Sequence, residues 1–355
     1  MHAPPRSASA SASRARGWTL LLLVAAAALA SAELVPPLVS AALDVNYGAT
    51  GVGMLHQYLN EKVMLAYWSW LAFDALLALA IVSVATASWV PPGRLGAAAK
   101  VGMVAALLAI AYLLVYPILV PVNLVLMAAF RNPPFLTGAD ARARFPAFEA
   151  IEAGHADVRA EFDRAAASGA HPPCIERTIP GFQVSTPAGA ERCWRTIVLK
   201  KQGAFVGGAR EAFPRTCALI DDAQVQNAIF SILDARVGIP PHIGYYKGFL
   251  RYHLGVRVPE AGDGRGAFLV CGGQAYRWRE GEGVLFDDMF THRVENPTDG
   301  TRVVLYLDVL RTTQVPRRLE PLYRAANAYV ETHPAVKWIV KAQHISVRDG
   351  DARQA

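Results

Sequence analysis

The chain has 355 residues, a formal net charge of +6, and 53% hydrophobic against 18% charged residues. That length exceeds what one core usually needs, so two regions are expected, and a modest charge with no basic, aromatic-interleaved stripe excludes a nucleic-acid partner. The four cysteines show no CxxC spacing. Cys217 and Cys271 stand in apolar runs and read as buried free thiols, while a disulfide between Cys174 and Cys193 is left open.

Composition divides the chain. Residues 1–16 carry Arg6, Arg14 and Arg16 among Ser and Ala and read as a disordered tail. Residues 17–130, rich in Ala, Leu, Val and aromatics, read as a membrane-spanning or re-entrant region. Within it, 17–32 fits either a cleavable signal peptide or a first membrane helix, and the helix is preferred because further spans follow. Residues 64–90 are long enough to cross a bilayer, with Asp74 facing protein or a polar cavity. Residues 101–130 form another apolar run, broken by Pro117 and Pro121. The positive-inside rule puts Arg6, Arg14, Arg16, Arg94 and Lys100 in the cytoplasm. A tight hairpin around Pro117 and Pro121 then returns the chain to the cytoplasm at Arg131. The expected location is the inner (cytoplasmic) membrane, multi-pass, with the remaining domain on the cytoplasmic side.

Residues 131–170 read as a helical linker, because 142–167 places Phe145, Phe148, Ile151, Val158 and Phe162 at helical spacing. Over 171–312 the pattern changes to short apolar or alternating runs at 194–199, 216–220, 228–233, 249–256, 267–270, 283–286 and 303–310, separated by Gly, Pro and Asp. Many short strands with frequent turns predict an all-β jelly roll rather than a parallel sheet. Residues 313–355 read as a C-terminal helical tail. Its face with Arg317, Arg318 and Arg324 is either a solvated surface or a contact to anionic lipid.

Two histidines in strand-like contexts, His253 and His292, are the leading candidates for chemistry. Neutral imidazoles suit iron, and Arg302 offers a fixed fork of donors to a carboxylate. Pro241-His242-Ile243-Gly244, Leu250-Arg251-Tyr252-His253-Leu254-Gly255, Trp278-Arg279-Glu280-Gly281-Glu282, Phe286-Asp287-Asp288, His292 and Asn296-Pro297-Thr298-Asp299 with Arg302 stand in order. Together they resemble the aspartyl/asparaginyl β-hydroxylase family of iron(II)- and 2-oxoglutarate-dependent dioxygenases, over about residues 145–312. The membrane region and the Asn296-Pro-Thr-Asp299 segment are most similar to the bacterial lipid A acyl-chain hydroxylases.

The resemblance implies a double-stranded β-helix, a cupin-like jelly roll with flanking helices after an N-terminal helical membrane region. It implies Fe(II) on His253 and His292, with Arg302 on the distal carboxylate of 2-oxoglutarate and O2 as the second co-substrate. His242 and Arg251 are candidate co-substrate contacts. The usual carboxylate ligand, two residues after the first histidine, is replaced by Gly255, as the family itself shows; Asp287 or Asp288 is a candidate to hold the water left there, or is simply a turn. Gly244 departs from an acidic residue found in some lipid A hydroxylases. Trp278–Glu282 reads as a hairpin. The implied reaction is hydroxylation of a C–H bond with release of succinate and CO2. The expected substrate is an acyl chain of a membrane lipid, lipid A or an aminolipid. Peptide Asp/Asn β-hydroxylation and a non-catalytic jelly-roll sensor remain as alternatives, and oligomeric state is not legible.

Overall fold

The computed structural model describes residues 76–84, 93–113, 116–168, 172, 174–175, 192–242, 244–260 and 266–333. The readings made for 1–75, including the tail, the first span and Asp74, lie outside them, as do most of 64–90 and the tail beyond His333. The chain divides into two compact units, one mainly of residues before Val125 and one of Val125–Ala355 with Ala49–Met54.

In the first unit, residues 76–84 are helical, followed by α1 (Arg94–Leu113). Leu79, Val82, Leu95, Val101 and Leu108 are exposed. Among the described residues no helix is long and apolar enough to cross a membrane. The hairpin expected around Pro117 and Pro121 is also absent, because both prolines lie within one helix, α2 (Tyr116–Ala129). Pro117 sits in the first turn, where backbone N–H groups have no intrahelical acceptor anyway, so only Pro121 costs the helix a bond.

The second unit begins with β1 (Phe135–Leu136) and three short helices, α3 (Gly138–Arg144), α4 (Phe148–Ala153) and α5 (His155–Ala167). Then follow β2 (Trp194–Lys201), β3 (Ala204–Phe205), α6 (Ala209–Ala212) and α7 (Pro214–Leu219). The strand expected at 216–220 is therefore a helix. Pro214 starts it, a position where its missing N–H is harmless. The Glu161 carboxylate of α5 accepts from the Arg215 and Thr216 N–H groups at 2.9 Å each and from Thr216 Oγ at 2.8 Å, a tertiary cap invisible to local pattern.

Eight strands make the barrel: β4 (Val225–Leu233), β5 (Val237–His242), β6 (Phe249–Arg257), β7 (Phe268–Cys271), β8 (Gln274–Arg277), β9 (Gly283–Phe286), β10 (His292–Asn296) and β11 (Arg302–Leu310). One sheet runs β1-β9-β6-β11-β4-β2-β3 and the other β5-β10-β7-β8, and every strand pairing within them is antiparallel. Successive strands alternate between sheets except for the β7–β8 hairpin, which is the double-stranded β-helix expected from the sequence. Two 3₁₀ turns lead to α8 (Glu320–Thr332), the described part of the tail.

Strand parity gives the larger sheet two different faces. Leu250, Tyr252 and Leu254 of β6 join Val303, Leu305, Leu307 and Val309 of β11 and Ala228, Phe230 and Ile232 of β4 in the apolar core, under Phe145, Ile151, Val158 and Phe162 of the helices. The alternate residues, Arg251 and His253, Arg302, Tyr306 and Asp308, and Ser231, face the smaller sheet. The hydrophobic core thus lies outside the barrel, and the barrel interior is left for polar side chains. Cys174 and Cys193, left open by the sequence, form a disulfide with Cα atoms 5.5 Å apart. Cys217 and Cys271 are buried free thiols as expected.

Candidate active site in the barrel interior

His253 is buried on β6 with neither ring nitrogen hydrogen-bonded. Its ring stacks on Trp278 at 5.8 Å and meets Phe286 edge-on at 5.0 Å. Burial, then the nearby Arg302, Arg251 and His292, hold its pKa well below the ordinary range, so the imidazole is neutral at pH 7. A buried neutral imidazole with two unpartnered nitrogens is suited to a metal or a bound polar ligand.

His292 begins β10 and packs edge-on to Phe286 at 5.9 Å. Its Nδ1 lies 2.9 Å from the Phe290 carbonyl. A carbonyl can only accept, so Nδ1 carries the proton and the lone pair sits on Nε2, the tautomer a metal requires. The backbone register partner of His292 on β5 is His242. His253 comes from the facing sheet, where it pairs with Tyr306 and Val284.

Arg302 starts β11 and is 1% exposed. Its Nη1 reaches only the Ser231 carbonyl and Oγ, both at 3.4 Å, its Nε has no partner, and the guanidinium lies 4.8 Å from the Trp278 ring. Burial lowers its pKa to about 9, so it stays a cation. Nearby, Lys247, Arg251 and Arg311 are matched by Asp287, Asp288 and Asp308. Among the described residues, three cations against three carboxylates leave the charge of Arg302 in excess. An unpaired buried charge is costly, so this position is built to receive an anion.

Arg251, a candidate co-substrate contact, is committed elsewhere. It pairs with Asp288, lies 3.0 Å from Asp308 Oδ1, and covers the Tyr306 ring at 4.1 Å. Asp287 and Asp288 do form a turn between β9 and β10, yet both are buried. Burial, with Asp308 and Asp287 nearby, pushes Asp288 up to about 6 against the pull of Arg251. Asp288 also explains Gly244: a Cβ there would lie 2.4 Å from its Oδ2. Likewise a Cβ on Gly255 would lie 2.1 Å from the Arg279 carbonyl, so no carboxylate can follow His253 at that spacing. Trp278, read as a hairpin residue, is buried against both His253 and Arg302.

Sequence reasoning missed Ser231 and Trp194, whose Nε1 donates to Ser231 Oγ at 2.9 Å and so supports the Arg302 contact. No motif marks them; only their inward parity on β2 and β4 would have. Among the described residues no group of three or more His, Cys, Asp or Glu could hold a metal ion. His253 and His292, with Arg302 unpaired among the described residues, nevertheless fit a site at which two histidines would hold a metal and the arginine a carboxylate.

A double-stranded β-helix with inward histidines and a free buried arginine defines a class of metal- and carboxylate-binding barrels. Residues 152–312 match the family model described as aspartyl/asparaginyl beta-hydroxylase, so this stretch of the chain is similar to that family. It is 32% identical to the ornithine lipid ester-linked acyl 2-hydroxylase of Rhizobium tropici, over 54% of this chain and 65% of that protein. It is 34% identical to human aspartate beta-hydroxylase domain-containing protein 2, over 35% of this chain and 34% of that one. The chain therefore spans less than two thirds of the relatives it matches. A Pseudomonas putida prolyl-4-hydroxylase overlaps 48% of this chain and 89% of its own, at 17% identity and a TM-score of 0.31, too slight a likeness to carry an argument.

Proposed function

We propose that this protein is an iron(II)- and 2-oxoglutarate-dependent dioxygenase that hydroxylates an acyl chain of a membrane lipid, an aminolipid before lipid A. The observation that carries the chemistry is Arg302, a buried cation without a carboxylate partner, beside a neutral histidine in the barrel interior. The preference for an aminolipid rests on the similarity to the ornithine lipid hydroxylase, the relative matched over the longest stretch among those compared. Exposed Leu79, Val82, Leu95, Val101 and Leu108 support contact with a bilayer, since soluble surfaces rarely gather such residues.

Iron with 2-oxoglutarate would supply the oxidising power for an unactivated C–H bond. The chain supplies position. Arg302 and Ser231 Oγ hold the distal carboxylate, Trp278 covers the guanidinium, and Trp194 fixes the Ser231 hydroxyl. His292 offers Nε2 to the metal. For the second ligand the sequence nominates His253, and its burial with neither ring nitrogen hydrogen-bonded among the described residues supports that role. His242 stays a candidate co-substrate contact. Phe286, Trp278 and Tyr306 surround the His253 ring, an apolar wall that keeps charge interactions strong.

Separate His242→Ala and His253→Ala variants test the assignment through metal affinity. His253→Ala is expected to lose the metal, while His242→Ala keeps it and binds 2-oxoglutarate more weakly; the reverse pattern would move the ligand role to His242. Lipid mass spectrometry of a deletion strain tests the substrate, with loss of the species one oxygen heavier expected in the aminolipid fraction. Unchanged lipids, with 2-oxoglutarate turnover driven by a peptide, would favour Asp or Asn hydroxylation instead. Failure to bind metal at all would leave a non-catalytic sensor.

A further inference from the structure

Away from the barrel interior, the second unit has an open polar cleft of about 430 Å³, bounded by Phe130 at the end of α2, by Arg131, by Asp140 and Arg144 of α3, and by Gln314 after β11. Its volume far exceeds that of a single water. Its floor is firm, because Phe130 is buried edge-on against Tyr323 at 6.0 Å and beneath Arg311 at 5.6 Å.

Two features of the cleft are unsatisfied. Among the described residues nothing hydrogen-bonds the buried nitrogen or oxygen of the Gln314 side-chain amide. Buried amide groups are almost always paired, so the exception asks for a ligand. Charge is also unbalanced: Arg144 pairs with Asp140 at 3.0 Å, and no carboxylate among the described residues pairs with Arg131. The cleft can therefore take a group that is anionic and also both donates and accepts hydrogen bonds. Its place in the sequence indicates the source. Residues 101–130 contain no charged side chain, and Arg131 is the first charge after them. Cationic side chains at the end of an uncharged apolar run lie at head-group depth when that run contacts lipid.

We propose that this cleft binds the head group of an anionic phospholipid, Arg131 facing the phosphoryl oxygens and the Gln314 amide meeting a head-group hydroxyl and phosphoryl oxygen. The site is separate from the barrel interior and does not rest on the iron reading. Its occupant would hold the domain against the bilayer surface.

The test is flotation of the full chain with vesicles of phosphatidylcholine alone or mixed with phosphatidylglycerol. The variants are Gln314→Leu, which changes no charge, and Arg131→Gln. Each is expected to lower the preference for phosphatidylglycerol about fivefold, the worth of one surface cation for Arg131→Gln and of about one hydrogen bond for Gln314→Leu, with phosphatidylcholine binding unchanged. Glycerol phosphate is expected to compete better than inorganic phosphate. Wild-type preference in Gln314→Leu would reduce the attraction to diffuse charge and overturn the proposal. Equal competition by inorganic phosphate would overturn the lipid source. Unaltered circular dichroism checks that each variant folds.

Discussion

Arg302 gains its importance from what surrounds it. An arginine on a surface would be solvated, whereas this one is sealed between Trp278 and Ser231 and has no carboxylate. Replacing it with Gln should raise the KM for 2-oxoglutarate roughly 10- to 100-fold, the value of about one charged hydrogen-bonding contact. Lys at that position should rescue little, because a point charge cannot reproduce the planar fork. A KM unchanged in the Gln variant would show that the anion site lies elsewhere. Ser231→Ala, which keeps the charge, should have the smaller effect of one weak hydrogen bond. Arg302 was legible because it stands at a fixed interval from His292 in one motif. Ser231 and Trp194 were not, since they reach the same spot from strands distant in sequence.

At the scale of elements, the turn between β9 and β10 shows how a short segment is held for chemistry. Burial pushes the Asp287 carboxyl up, but Arg311, Lys247 and Asn132 outweigh it and hold it well below the carboxylate range. Arg311 Nη2 lies 2.8 Å away, Asn132 Nδ2 donates at 3.0 Å, and the Met289 N–H closes the turn onto Oδ1 at 3.1 Å. Burial lowers Lys247 to about 8, and the Asp287 carboxylate opposes that fall, so the amine is a cation at pH 7. Asp287→Asn should cost about 3–5 kcal/mol at pH 7, because it strands buried cations. The sign with pH follows from the lowered folded pKa: the contribution is complete above the unfolded carboxylate value and is lost as pH falls toward the folded one. In urea melts the gap between variant and wild type should therefore narrow below about pH 4. A gap independent of pH would mean the turn is held by packing alone. Helix α7 teaches the opposite lesson: Thr216–Leu219 looks like a strand locally, and only Glu161 of a distant helix completes its first turn.

For the whole molecule, two observations bear on which side of the membrane the domain occupies. The 2-oxoglutarate chemistry proposed above would draw on a cytoplasmic metabolite, in keeping with the cytoplasmic location expected from the sequence. The Cys174–Cys193 disulfide belongs to oxidising compartments. Among the described residues the hairpin expected to return the chain to the cytoplasm does not fall at Pro117–Pro121, since α2 runs through both. Thiol alkylation in intact cells separates these cases. Under the cytoplasmic proposal both cysteines react without reductant, the bridge closing only on exposure to air. Protection until a reductant is added would put the domain on the oxidising side and require another source of co-substrate there.

The sequence by itself determined the β-helix, the family motifs, His292, Arg302 and the buried thiols, because alternation of apolar residues, turn chemistry and short motifs are local signals. Tertiary structure decided what those residues face. Parity on β6 and β11 turns Leu254 and Leu305 outward to the helices and His253 and Arg302 inward, and β10 sets His292 between β5 and β7 on the facing sheet. Gly244 and Gly255 could be read in the sequence only as missing carboxylates. The structure supplies their reason, the Asp288 carboxylate and the Arg279 carbonyl filling the space that any side chain would need. Contacts between segments far apart in the chain carry no local signature, and they assign roles to residues that the sequence could only nominate.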